Sequence, residues 1–133
     1  MEAAVPSIAR FEDIQAWQKA RALTREVYDA CGYGTLKTDF GLKGQLCRAA
    51  VSAMSNVAEG FARKSDRDFA RFLDIARGAT VEVQSLLYAA LDSGSLSREQ
   101  FERLFGLANE TTALIGGFTS YLRRSSSRRQ RTE

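Results

Sequence analysis

Glu59, Asp66 and Asp68 stand close together in this chain, and carboxylates at that density can bind a divalent metal or share acid–base work. The same sequence contains no histidine. That absence removes Ser-His-Asp and Cys-His activation of a nucleophile, imidazole acid–base catalysis and His-ligated metals. With no Asp/Glu repeat carried on facing helices either, a di-metal carboxylate site lacks its donors. Asp66 and Asp68 suit the first turn of a helix, where the backbone dipole favours negative charge. Glu59 follows Asn56 in Ser55-Asn-Val-Ala-Glu-Gly60, on a helix whose inward face is small and apolar. It is expected as a buried polar staple that joins two helices, through free N–H groups of the next helix or through Arg63.

Cys31 and Cys47 lack C-x-x-C spacing, and no signal-peptide pattern precedes them. Free thiols in a reducing, cytoplasmic setting are expected rather than a disulfide scaffold or a zinc site. Gly32-Tyr33-Gly34 has no preceding strand, third glycine or P-loop lysine, so it reads as a turn and not as a phosphate cradle. Gly116-Gly117 sits inside a helical pattern, where close helix–helix contact is the expected role and a kink the alternative. No catalytic, cofactor-binding or metal-ligating residue emerges, and the chain is expected to be no enzyme. The apolar segment near Ala49–Ala58 is broken by Ser52, Ser55 and Asn56, far short of the roughly 18 apolar residues a membrane span needs.

Basic residues are the remaining chemistry. Arg63, Arg67 and Arg71 recur every fourth residue, with Lys64 and Arg77 beside them. On one helix face they would meet a phosphate backbone; diluted by Asp66, Asp68 and Asp74, they also suit a solvated face. A second group, Arg123, Arg124, Arg128, Arg129 and Arg131, fills the C-terminal segment. The net charge is +3, but residues 123–133 carry five arginines and one glutamate, which leaves 14 basic and 15 acidic side chains elsewhere. The basicity therefore belongs to the tail. Neither a helix-turn-helix signature, an RNA-binding sheet motif nor a row of exposed stacking aromatics points to base-specific reading.

The elements that must carry these residues follow from periodicity. At 133 residues, 44% hydrophobic and 26% charged, the chain is one globular domain. Pro6 is its only proline, so nothing after it breaks a helix by that route. A first helix is expected over about Phe11–Cys31, its stripe Ile14, Trp17, Ala20, Thr24, Val27 and Cys31. A second runs from near Asp39 to Gly60 on Leu42, Leu46, Ala49, Ala53 and Val57. A third starts at the N-cap Ser65 and reaches about Leu91, with the stripe Phe69, Phe72, Ala76, Thr80, Val83, Leu87 and Ala90; Gly94 then stands at the C′ position. The fourth opens on the capping box Ser97-Arg-Glu-Gln100 and continues through Phe101, Leu104, Ala108, Thr111, Ile115, Phe118 and Leu122. Phe105 and Leu114 lie off that stripe and suggest a second buried face, against another subunit. The sum is an all-α, antiparallel up-down-up-down four-helix bundle over residues 10–122, between a flexible segment 1–9 and a flexible Arg/Ser-rich tail 123–133.

Several blocks in order resemble a known bacterial family: Phe11-Glu-Asp-Ile14, Trp17-Gln-Lys-Ala20, Phe40-Gly-Leu-Lys-Gly-Gln45-Leu-Cys-Arg48-Ala-Ala50, Ser55-Asn-Val-Ala-Glu-Gly60, Phe69-Ala-Arg-Phe-Leu-Asp-Ile-Ala76 and Thr80-Val-Glu82. The family is the four-helix bundle proteins encoded in intervening sequences of large-subunit ribosomal RNA genes. Its wider relatives include the accessory variability determinants of diversity-generating retroelements. The resemblance covers about residues 10–122, and its motif residues here are Arg48, Asn56, Glu59, Gly60 and Glu82. It implies a helical protomer of a ring-like homopentamer with no enzymatic activity and no cofactor. In the retroelement branch it also implies a basic barrel that binds a reverse transcriptase and nucleic acid. This chain departs from the pattern in two places. Its first inter-helix loop, Gly34-Thr-Leu-Lys-Thr-Asp39, lacks the usual proline, and its body sums to −1 where the retroelement branch is strongly basic. The function expected is that of an accessory factor binding RNA or a nucleoprotein, DNA included, through Arg63, Lys64, Arg67, Arg71 and the tail arginines; a protein-interaction scaffold is the alternative.

Overall fold

A computed structural model describes residues 8–132, with side chains described as far as Ser125. Among the described residues there are four α-helices and no strand: α1 Gln15–Ala30, α2 Phe40–Phe61, α3 Asp66–Asp92 and α4 Arg98–Thr132. Short 3-10 turns cover Phe11–Asp13 and Gly34–Lys37.

Each boundary has a local cause. Phe11 does not open α1, because Ile14 is extended and α1 starts only after it. The Gln18 side-chain amide instead reaches back to the Glu12 carbonyl at 2.8 Å and ties the preceding turn down. Asp39 caps α2 by accepting from the Leu42 N–H at 3.2 Å, and Ser65 caps α3 by accepting from the Asp68 N–H at 3.1 Å. Ser97 and Gln100 form a reciprocal capping box, each side chain accepting from the other's backbone N–H at 3.1 and 3.0 Å. At the end of α3, Gly94 adopts φ +79, which lets the Ser95 N–H reach the Ala90 carbonyl at 2.8 Å. α4 does not stop where its apolar stripe stops, at Leu122. No glycine or proline follows Phe118, and arginine is a good helix former, so the helix runs on to Thr132.

Most of the expected stripe residues lie in the core; Phe72, expected on the α3 stripe, is only half-buried under Arg63 and Arg71, and Leu73 takes the inward position beside it. One cluster joins Leu23, Val27 and Cys31 of α1, Leu46, Ala49 and Ala50 of α2, Val83, Leu87 and Ala90 of α3, and Phe101, Leu104 and Ala108 of α4. A second joins Ile14 and Trp17, Val57, Phe69, Leu73 and Ala76, and Ile115 and Leu122. Ala20, Ala53 and Ala79 form a narrow waist between the two. Each fully buried leucine or valine contributes about 1.5–3 kcal/mol of transfer free energy, with a similar entropic cost opposing the sum. Buried hydroxyls stay inside the helices: Thr111 donates to the Leu107 carbonyl and Thr119 to the Ile115 carbonyl, both at 2.8 Å. The second face expected on α4 is largely occupied within the protomer. Phe105 stacks edge-on with Tyr88 of α3 at 5.5 Å, and Leu114 packs against the Ile14–Ile115 cluster. Large exposed apolar side chains lie instead on α1, α2 and α3, at Tyr28, Phe40, Val51, Ile75, Val81 and Tyr88.

Candidate nucleic-acid interface

The join between α2 and α3 is set by Gly60. A Cβ there would lie 2.8 Å from Phe69 Cδ1 and 2.9 Å from Phe72 Cβ, so only glycine lets α3 fold back this closely. Residues 62–65 then make a short turn that presents Arg63 and Lys64. Because α2 ends at Phe61 and α3 begins at Asp66, Arg63, Arg67 and Arg71 do not form a continuous helical row. Arg63 and Arg71 converge instead on one ring, their guanidinium carbons 4.6 and 4.9 Å from the Phe72 centroid. Each is also neutralised, Arg63 by Glu59 at 3.3 Å and Arg71 by Asp68 at 3.4 Å. Lys64 and Arg67 are exposed and have no ion-pair partner among the described residues.

Glu59 is not the buried staple expected of it. Val57 and Gly60 take the inward side of α2, so Glu59 points outward, with its side chain 55% exposed and Arg63 as its partner. At that exposure the pair contributes little, up to about 1 kcal/mol.

The end of α4 returns to this same end of the bundle. Arg63, Lys64, Ser65 and Asp66 share a groove of about 310 Å³ with Tyr121, Leu122 and Ser125. Arg123 pairs with Asp74 of α3 at 2.5 Å, and Arg124 is exposed with no ion pair among the described residues. The side chains of Arg128, Arg129 and Arg131 lie outside the described residues. Arg77 does not join the group: its Nε sits 3.6 Å from the Cβ position of Gly116, on α4. A side chain of α3, not its backbone, is what approaches Gly116, and Gly117 has nothing within 4 Å, so the pair does not make the close backbone contact between helices that was expected.

The other motif residues have structural settings. The Arg48 guanidinium covers Gly44, with Nη1 3.1 Å from its Cβ position. Asn56 donates to the Ser52 carbonyl at 2.9 Å, and Glu82 is exposed on α3. Cys31 is buried, and Cys47 of α2 packs against the cluster that contains it. Burial, helped by the neighbouring Cys47, pushes the Cys31 thiol up to about 12. No group of three or more His, Cys, Asp or Glu that could hold a metal occurs among the described residues. Nor is any helix there long and apolar enough to cross a membrane. Sequence reasoning missed the exposed aromatics: Tyr33 is 71% and Phe40 76% exposed. Phe40 falls off the Leu42–Leu46 stripe, and that was the signal available.

The fold is that of a four-helix protein, with Lys64, Arg67 and Arg124 free of ion pairs among the described residues near the end where α2, α3 and α4 meet. The 23S rRNA-intervening sequence protein family matches residues 12–117, and the chain belongs to that family. No curated protein matches it. Among solved structures, a protein of unknown function from the S23 ribosomal protein family of Bacteroides thetaiotaomicron is similar, with a TM-score of 0.71 and 20% identity. That similarity covers 78% of this chain and 97% of the other, and at this identity it speaks for the fold alone.

Proposed function

We propose that this chain is a non-enzymatic, homo-oligomeric bundle that binds RNA, alone or in a nucleoprotein, through the end formed by the α2–α3 turn and the C-terminal part of α4. The observation that carries the reading is the convergence of two basic groups far apart in sequence: Lys64 and Arg67 on one side, Arg123 and Arg124 on the other, joined by the groove that Arg63 and Ser125 share. Helices alternating in direction bring this about, and the sharing of one core cluster by the start of α1, the end of α2, the start of α3 and the end of α4 supports that antiparallel order. The ring-like homopentamer draws its support from the family and from the exposed apolar side chains on α1, α2 and α3. Surface carboxylates held in ion pairs with arginine, and a sequence without histidine, favour a binding role over catalysis.

The test is binding of a single-stranded RNA over a range of salt concentrations. Neutralised phosphates release counterions, so log K should fall linearly with log salt, by about 0.7 for each phosphate contacted. Affinity that ignores salt, or no binding in low salt, would sink the proposal.

A further inference from the structure

We infer that the groove between the α2–α3 turn and the end of α4 takes a single unpaired base of the bound RNA, with the flanking phosphates held on its rim. This rests on the RNA reading proposed above and names what the groove recognises.

The lining falls into two layers. Phe69 and Leu122 are buried and Phe61, Phe118 and Tyr121 half-buried, so the floor is apolar and mostly aromatic. Phe69 is committed to its neighbours, edge-on to Phe61 at 6.2 Å and to Phe118 at 5.2 Å. Tyr121 has one ring neighbour among the described residues, Phe118 at 6.4 Å, and its hydroxyl holds no hydrogen bond there. It is the ring most open to a newcomer. The rim is exposed and polar: Arg63, Lys64 and Ser65 come from the turn, and Ser125 completes it from α4. Lys64 has no ion-pair partner among the described residues, so it meets a phosphate without first releasing a carboxylate. The Ser65 Oγ accepts from the Asp68 N–H at 3.1 Å, which leaves its own proton to donate.

An aromatic floor under a cationic rim matches the two halves of a nucleotide: a base has a π-face to stack, and a phosphate has a charge to neutralise. What lies deep fixes which half goes where. A phosphate on the floor would exchange its water for an apolar surface, with the Asp66 carboxylate also lining the groove. A neutral base loses little there and gains a stacking partner. At about 310 Å³ the groove is at the lower end of ligand sites, which run to roughly 300–1,000 Å³, so it holds one ring system and not a stack of pairs. Bases inside a duplex keep both faces covered by their neighbours and do not reach such a floor. Single-stranded or bulged RNA does, because its bases can be splayed out.

Two probes of equal charge test this by fluorescence anisotropy: a ten-residue oligocytidylate, and a chain of ten abasic ribose phosphates. The full chain should hold oligocytidylate at least about 5-fold more tightly than the abasic chain, the contribution of one stacked base. Tyr121→Leu keeps the apolar bulk but removes the stacking face, so it should abolish that preference while the abasic chain binds as before. The slope of log K against log salt should stay the same, because no cation is lost. Tyr121→Phe should keep the preference. Ser125→Leu fills the groove from its rim and should act as Tyr121→Leu does, which provides a second variant should the first lose its helix content by circular dichroism. Equal affinity of the wild type for the two probes overturns the inference and leaves the RNA reading standing. No binding of either probe in low salt removes the RNA reading, and this inference with it. A preference that survives both Tyr121→Leu and Ser125→Leu leaves the groove to an apolar protein segment and overturns the inference too. So does a variant that weakens both probes alike, since that marks a structural role.

Discussion

A methyl group at position 60 would press on Phe69 and Phe72 from under 3 Å, with the Phe69 carbonyl 3.2 Å away. Neither phenylalanine can yield freely, since Phe69 is wedged edge-on between Phe61 and Phe118. Gly60→Ala should therefore destabilise the protein by about 1–3 kcal/mol in urea unfolding, despite alanine's higher helix propensity. The Asn-Val-Ala-Glu-Gly block is legible in the sequence as a special place, but the weight falls on Gly60 and not on Glu59. A contact of that kind depends on the partner helix, which periodicity alone does not position. Cys31 makes the second case at this scale. Its thiol keeps its proton up to about 12, against 9.0 ordinarily, because the charged form is penalised by burial. The folded state therefore binds a proton that the unfolded chain releases near pH 9. Stability from this group is complete below about pH 9 and is lost as pH climbs toward 12. Comparing urea midpoints at pH 8 and pH 10.5, wild type should lose more stability than Cys31→Ala; equal losses would contradict the assignment.

Caps and stripes are the elements most readable from sequence, because they depend on side chains three and four residues apart. Ser65, Ser97 with Gln100, and Gly94 all occupy the positions their spacing predicts. The ends of the outer helices are less so. α1 begins late because Gln18 ties down a separate turn, and α4 ends late because its boundary is set by the absence of a breaker and not by the end of hydrophobic burial. Ser65 also aims the turn that carries Arg63 and Lys64. Ser65→Ala should cost about 1 kcal/mol in unfolding free energy, and Ser65→Asp should retain most of the stability. Equal losses in the two variants would mean that the Asp68 N–H has another acceptor.

For the whole molecule, the net charge of +3 hides a division of labour that the structure makes specific. Basic residues are visible in the sequence, but which of them are already spent on carboxylates is not, because an ion pair such as Arg123–Asp74 joins two helices through residues 49 apart in sequence. Arg63, Arg71 and Arg123 each hold a carboxylate within 4 Å, while Lys64, Arg67 and Arg124 hold none among the described residues. An unpaired cation displaces one counterion when it meets a phosphate; a paired one must first give up its carboxylate, so its net contribution is smaller. Replacing Lys64 and Arg67 together with glutamine should flatten the salt dependence of single-stranded RNA binding by about 0.7 for each residue. Replacing Arg63 and Arg71 with glutamine should change the slope less, although both are arginines and both lie nearby. The measurement is the slope of log K against log salt for each double variant. If Arg63 and Arg71 flatten it as much as Lys64 and Arg67, RNA strips the carboxylates away and the resting ion pairs do not define the binding surface. If neither pair changes the slope while replacement of the five tail arginines abolishes it, binding belongs to the tail alone and the α2–α3 turn has no part in it.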